Sequence, residues 1–375
     1  MRDSSELDFS KCTSPVNEAY SLPPECYCSD DITKEEISHI FRSTWIGLGR
    51  SDLVKEPGHY VCLDFAEQSI ILLRDQEEKL HAFANTCRHR GARLLNGEGA
   101  IKGIRCPFHS WFYGLNGKLV AAPHMTTIKS FNKDDYGLIE YQTKERFGFI
   151  FISFNSHVDD IDKHLSSFKG THSDWPLEDL VSMRRRELSV DCNWKMFLEV
   201  FNEYYHLPYV HPNSVDSIYQ TPSKPDEVTG QFATQFGETT GTGGLLESEQ
   251  DNALEDMPNL KGRAKEGVRY TWIFPNITFA ANRDALWCYE AYPLGSEKCK
   301  VVQTACFHPK SVSRIEFKSK LQAYLHRLDA ALEEDIPALV NQQVGMKNPD
   351  AVQGRFQANL EANVASFANW YATNW

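Results

Sequence analysis

The 375-residue chain has no apolar run near the roughly 20 residues that a membrane helix needs; its longest candidate, Phe147-Gly-Phe-Ile-Phe-Ile-Ser-Phe154, is strand-length. It is also short of basic charge, with 39 Lys and Arg against 51 Asp and Glu for a net charge of −12. Neither nucleic acid nor an anionic membrane is an expected partner, because phosphate attraction needs clustered Lys and Arg. The N-terminal MRDSSELDFSKCTSPVNEAY has no apolar h-region and does not read as a secretory signal, so a cytoplasmic protein is expected. No internal repeat or low-complexity tract is visible. What remains is an ordinary globular composition, 41% hydrophobic and 24% charged. At about 100–200 residues per domain the length suggests two or three domains. Ten cysteines lie at 12, 26, 28, 62, 87, 106, 192, 288, 299 and 306. In the cytosol free thiols are expected, most of them buried as small apolar groups.

Residues 1–43 read as a loop and then a helix, with N-cap types and early acids at Ser29-Asp30-Asp31 ahead of Ile37, Ile40 and Phe41. From 44 to 155 short alternating segments (Tyr60–Asp64, Ser69–Arg74, His81–Ala84) and Gly-rich turns predict a small all-β domain. Residues 156–375 form the remainder. A helical segment is expected at about 192–207, strands between 269 and 308, and helix from about 313 to the end. The Gly-, Thr- and acid-rich stretch 220–268 is too long for a simple connection, and part of it is expected to be a mobile lid or entrance loop.

Two Cys-His pairs stand out: Cys87-Arg88-His89-Arg90-Gly91, then Cys106-Pro107-Phe108-His109-Ser110-Trp111. Thiolate and imidazole bind soft and borderline metals. Two ligand pairs on tight loops can clamp a compact centre from both sides. Zinc sites usually pair like with like, as C-x2–4-C with H-x3–5-H. Here each loop supplies one of each, which suits a [2Fe–2S] cluster with two Cys on one iron and two His on the other. The arrangement resembles the Rieske domain; Ser110 departs from the Gly or Ala often found between that His and Trp. Neutral imidazoles replacing two thiolates raise the cluster potential to roughly −150 to +300 mV, giving a one-electron relay.

The second constellation runs from Asn193 to Pro212 and holds Glu199, Asn202, Glu203, His206 and His211. Glu203 and His206, three apart, would share a helix face. His206 and His211 would be about 140° apart on an ideal helix, but Pro208 is expected to break the helix between them and let the imidazoles converge. Non-haem Fe(II) takes two His and one carboxylate and keeps positions open for O2. Asp335 falls on the apolar stripe Leu321, Leu325, Leu328, Leu332, Leu339, where an acid is costly unless paired or metal-bound, and it is the expected third ligand; Glu333 and Glu334 lie off the stripe. Glu199 and Asn202 are candidates to orient the histidines, with plain helix surface as the alternative. Trp272, Phe274, Trp287 and Tyr289 are candidates for a cation–π box, with core packing the commoner role.

Together these features resemble the α subunit of Rieske non-haem iron oxygenases over about residues 44–375. That resemblance implies an α+β chain: a small all-β Rieske domain, then a catalytic domain whose antiparallel sheet is covered by helices. It implies a [2Fe–2S] cluster on Cys87, His89, Cys106 and His109 and a mononuclear Fe(II) on His206, His211 and Asp335. It further implies O2 as co-substrate, and NAD(P)H electrons arriving through a flavin or iron–sulfur reductase or a ferredoxin. A homotrimer is implied as well, in which Glu203 bridges a neighbour's cluster to the iron. Glu rather than Asp at 203 is associated with members acting on quaternary ammonium compounds such as carnitine, betaines or choline. Hydroxylation or N-demethylation of such a small molecule is the leading reading, an aromatic-ring hydroxylating oxygenase the second, and a non-catalytic electron carrier or zinc module the third. Metal content separates them: about three irons per chain mark an oxygenase, about two a carrier, and zinc without iron neither.

Overall fold

The computed structural model describes residues 7–375. The chain folds as two compact units. One is Arg50–Val158; the other joins the residues up to Gly49 with Asp159–Trp375. Sequence patterning alone had suggested limits of 44 and 155 for the first.

In Arg50–Val158 the strands His59–Phe65, Gln68–Arg74 and Leu80–Ala84 form an antiparallel meander, continued by Glu140–Arg146 and Phe149–Ser153. A second small sheet joins Ile104–Arg105, Phe112–Tyr113 and Leu119–Ala121. Only His59–Phe65 alternates, burying Val61, Leu63 and Phe65, whereas Leu80–Ala84 and Phe149–Ser153 are buried throughout. Side chains of these strands enter a shared core. That core holds Ile71, Leu73, Phe83, Trp111 and Tyr113, and also both cysteines of the Cys-His pairs.

The other unit is built on six strands: β1 (Val181–Val190), β2 (Phe232–Glu238), β3 (Gly267–Ile273), β4 (Ile277–Ala281), β5 (Leu286–Pro293) and β6 (Cys299–Phe307). The order is β1-β6-β5-β4-β3-β2, antiparallel throughout. The sheet carries helices α2 (Trp194–Phe201), α3 (Leu207–Val210), α4 (Phe317–Met346) and α5 (Ala362–Asn374), preceded in the chain by α1 (Asp30–Glu36). The α+β class expected from sequence is therefore what forms. No helix among the described residues is long and apolar enough to cross a membrane, and all ten cysteines are free thiols.

Part of the 220–268 stretch is strand β2, paired with β3. Residues 232–237 are buried on both faces, so no polar/apolar alternation marks the strand. Its polar side chains bond internally: Thr234 Oγ1 donates to the Tyr270 carbonyl at 3.0 Å, and Gln235 Nε2 to the Ser223 and Asn359 carbonyls at 3.0 and 2.6 Å, while Gln235 Oε1 has no partner among the described residues. The Gly-rich run is also tied down, with Thr242 Oγ1 donating to Asp284 at 2.6 Å. Contrary to expectation, helix does not fill the C-terminal region; residues 347–361 lie outside helix between α4 and α5.

A buried ionic contact fixes the N-terminal segment to this unit. Ser29 caps α1, accepting from Ile32 N at 3.4 Å. At the far end Glu36 accepts from Lys195 Nζ at 2.5 Å and from Trp194 Nε1 at 2.7 Å, with Lys195 and Glu36 side chains fully buried. Removing one partner leaves the other charge uncompensated in a dry site, whereas removing both does not. Glu36→Ala should therefore cost about 3–5 kcal/mol in denaturant unfolding. The Glu36→Met/Lys195→Met pair should cost clearly less than the single change.

Two candidate metal centres

In Arg50–Val158 the two Cys-His loops are closed turns. Gly91 N donates to the Cys87 carbonyl at 2.9 Å, and Ser110 N to the Cys106 carbonyl at 3.1 Å. Gly91 (φ +72°) and Ser110 (φ +59°) both occupy the left-handed region, so Ser110 carries a Cβ where glycine is favoured. The cysteines are buried, and the His89 and His109 ring centres lie 4.6 Å apart. Each Nδ1 is shielded from solvent and has no hydrogen-bond partner. His89 stacks on Trp111 at 4.9 Å and 9°, which fixes its ring plane. Burial, with His109 and Arg90 nearby, lowers the His89 pKa and keeps its nitrogen lone pair available. Tyr113 Oη accepts from Arg88 N at 3.1 Å, so its own proton can be donated to Cys87 Sγ, 3.3 Å away.

These four side chains do not surround a single point. Among the described residues, the one set of three or more potential ligands whose atoms all lie within 4.8 Å of each other is His206, His211 and Asp335. Tetrahedral zinc, with bonds of about 2.0–2.3 Å, would require such convergence. A thiol pair and an orphaned imidazole pair at separate positions fit a two-iron centre with mixed ligands instead.

The other centre starts at α2. Asn193 caps that helix, its Oδ1 accepting from Lys195 N at 3.1 Å. Asn193 is itself held by Gln343 of α4, whose Oε1 accepts from Asn193 N at 2.7 Å. Helix α2 then stops at Phe201, earlier than expected. Asn202 is the reason: its Nδ2 donates to the Leu198 carbonyl at 2.7 Å and its Oδ1 accepts from Thr278 Oγ1 at 3.0 Å. Glu203 and His206 are therefore not on one helix face. His206 opens the short helix α3, Pro208 lies in its first turn, and His211 closes it. The proline starts a helix rather than breaking one, since a first turn does not need its missing N–H.

The convergence itself is present. His206 Nε2 and His211 Nε2 lie 3.2 Å apart, and Asp335 Oδ1 is 3.0 Å from the latter and 3.5 Å from the former. Asp335 comes from α4, between buried Leu332 and Leu339. Behind the ligand set, the Glu203 carboxylate holds His206 Nδ1 and accepts from the Tyr205 and His206 amides. The Glu334 carboxylate holds His211 Nδ1 at 2.6 Å and accepts from Ser214 Oγ at 2.5 Å. With each Nδ1–H engaged, both Nε2 lone pairs face inward. Asp335 Oδ1 is buried and accepts no hydrogen bond, although His211 Nε2 is within ion-pair distance. Three lone-pair donors meeting without a proton to share fit a cation.

Sequence reasoning missed Glu334, set aside because it lies off the apolar stripe. The usable signal was its adjacency to Asp335, one residue around the helix. Glu199 and Asn202 do not touch the histidines. Glu199 is half-buried and accepts from Tyr27 Oη at 2.7 Å. Trp272, stacked on Phe367 at 4.0 Å, Phe274, 5.2 Å from Trp370, and Trp287, 6.0 Å from Phe307, are core residues. Tyr289 does line the cavity of about 40 Å³ beside the ligand set, with Phe201, Tyr204, Tyr270 and Arg327, none of which was singled out. On the other side of Glu203 and His206 lies an open cleft of about 390 Å³.

Residues 177–375 match the family described as ring hydroxylating alpha subunit (catalytic domain), and residues 44–132 match the Rieske [2Fe-2S] domain. The chain is 27% identical over 370 residues to the chloroplastic choline monooxygenase of Atriplex hortensis, spanning 95% of this chain and 78% of that one. It is 25% identical over 389 residues to the glycine betaine monooxygenase oxygenase subunit of Pseudomonas aeruginosa, spanning 94% and 89%. Its fold superimposes on the quaternary ammonium Rieske monooxygenase CntA solved with L-carnitine, at a TM-score of 0.81 and 22% identity, covering 98% and 99% of the two chains.

Two outcomes are expected. Glu334→Gln should weaken iron retention about 10- to 100-fold, read by metal analysis after dialysis. Glu199 gives a pH signature: burial raises its pKa from 4.5 to about 7. Its contribution to stability is complete below the unfolded-state value and is lost as pH rises through about 7. Glu199→Gln should match the wild type in stability near the ordinary carboxyl pKa and exceed it by about 2–3 kcal/mol in mildly alkaline buffer, measured as urea unfolding across pH.

Proposed function

This chain belongs to the ring hydroxylating alpha subunit family, and from that membership we propose that it is the oxygenase component of a Rieske monooxygenase acting on a small quaternary ammonium or N-methyl compound. Cys87, His89, Cys106 and His109 would hold the [2Fe–2S] cluster, and His206, His211 and Asp335 the mononuclear iron. Such a cluster supplies one-electron storage, and such an iron supplies dioxygen activation with reductase-derived electrons.

The residues of the chain set the conditions for that chemistry. Glu203 and Glu334 hold the Nδ1 protons of His206 and His211, which aims both Nε2 atoms at one point. Phe201, Tyr204, Tyr270 and Tyr289 wall the cavity beside that point. The observation that carries the substrate class is this wall. Aromatic faces attract a trimethylammonium group through their quadrupoles. A purely apolar pocket would favour an arene, but this one includes tyrosines, Asp335 and Arg327. Hydroxylation of a carbon attached to nitrogen yields a species that collapses with C–N cleavage.

Electrons are proposed to come from NAD(P)H through a flavin or iron–sulfur reductase or a ferredoxin. The assembly is proposed as a cytoplasmic homotrimer. What supports the bridging role of Glu203 is its place between the open cleft and His206. Three tests follow. Light scattering should give three 42.8 kDa chains per particle. Asp335→Ala should lower iron from about three to about two per chain with the cluster spectrum intact. Glu203→Ala should keep the cluster spectrum but nearly abolish coupled product formation per bound iron; normal turnover in that variant refutes the bridge.

A further inference from the structure

Arg327 lies on α4, two turns before Asp335, and lines the same cavity as Asp335, His206 and His211. It is 4% exposed. Its Nη2 donates to Tyr219 Oη at 2.9 Å, and its guanidinium carbon sits 5.9 Å from the centre of the Tyr219 ring. Its Nε is buried with no hydrogen-bond partner. Tyr219 Oη in turn accepts from Tyr270 Oη at 2.9 Å. Among the described residues no carboxylate pairs with this guanidinium. That sets it apart from other arginines of the unit that are wholly or partly withdrawn from solvent. Arg269, 2% exposed, pairs with Asp226 at 2.5 Å, and Arg184 grips Asp329 through two contacts of 2.6 and 2.8 Å.

Withdrawing a guanidinium from water costs several kcal/mol unless an anion answers it. Tyrosine hydroxyls and a ring face answer only part of that. An arginine kept charged on the wall of a substrate cavity, with a donor to spare, is matched to a planar oxyanion that arrives with the ligand. The anionic groups already there do not serve it: Asp335 faces the histidines, and Glu203 and Glu334 hold their Nδ1 atoms.

We infer that the substrate is a betaine-type zwitterion, with its carboxylate paired to Arg327 and its ammonium methyls against the Phe201, Tyr270 and Tyr289 faces. This rests on the quaternary ammonium reading above and sharpens it. Of the compounds that reading admits, those with a carboxylate fit, and choline, a cation without one, does not. A cation alone would bring a second positive charge beside an uncompensated guanidinium. Arg327 is thus a specificity-determining residue.

Ligand binding to the anaerobic holoenzyme, by calorimetry, tests it with glycine betaine, L-carnitine and choline as probes. The wild type should bind one of the two carboxylate compounds at least about 10-fold more tightly than choline, the factor expected of a charge-assisted hydrogen bond. Arg327→Met should weaken that carboxylate compound about 10- to 100-fold while choline changes no more than about twofold, and Arg327→Lys should recover part of the loss. A wild type that prefers choline overturns the inference and leaves the quaternary ammonium reading standing, and this comparison needs no variant to fold. Equal losses for choline and the carboxylate compounds in Arg327→Met would reduce Arg327 to a structural role and also overturn it. If the wild type binds none of the three, the quaternary ammonium reading itself fails, and the inference with it.

Discussion

An imidazole aims its lone pair at a metal when its second nitrogen is held. Two such restraints, Glu203 on His206 and Glu334 on His211, govern the arrangement around the three-residue centre. Each fixes a tautomer, a ring plane and the direction of a lone pair. They differ in origin. Glu203 belongs to the same irregular segment as its histidine and also receives the amides of Tyr205 and His206, so loop and ring are fixed together. Glu334 reaches across from α4 and shares its helical turn with the third ligand, Asp335. One helix thus supplies both a donor and the restraint on another donor. Its register is held in turn by Gln343, which grips the N-cap of α2 and the backbone of Tyr27.

The Cys-His unit solves the same problem without carboxylates. His89 is set by stacking on Trp111, and both histidines by tight turns, one of them at a strained Ser110. Its cysteines are anchored within the core of the unit, and Tyr113 ties Arg88 to Cys87. Anionic restraints would add negative charge beside the imidazoles. A mixed-ligand cluster owes its raised potential to neutral imidazoles in place of thiolates. The Cys-His unit therefore fixes its donors by sterics, whereas the three-residue centre, whose geometry suits a divalent cation, fixes them by charge.

Charge also separates the cavity from the core around it. The aromatic residues of the sheet mostly pack on one another. Those turned toward the three-residue centre are largely tyrosines: Tyr289 accepts from Gln303, Tyr270 donates to Tyr219, which also accepts from Arg327, and Tyr204 Oη has no partner among the described residues. Such a wall offers ring faces to a cation and a guanidinium to an anion.

The sequence by itself determined the donor types, their pairing and the domain class. Cys87, His89, Cys106 and His109 were legible because their spacing is local, and Asp335 because an acid on an apolar stripe demands a partner. Tertiary structure decided what the stripe and the spacing could not. The helix before His206 ends where Asn202 finds Thr278, 76 residues away. Glu334, off the stripe, meets a histidine 123 residues distant. Strand β2 hides polar residues whose partners lie on other strands and loops. Arg327 acquires its meaning only from a cavity assembled out of α4, the sheet and residues 200–215. Periodicity reports which face of an element is buried; it carries no information about which remote group a buried polar atom will meet, because that is fixed by how the elements pack.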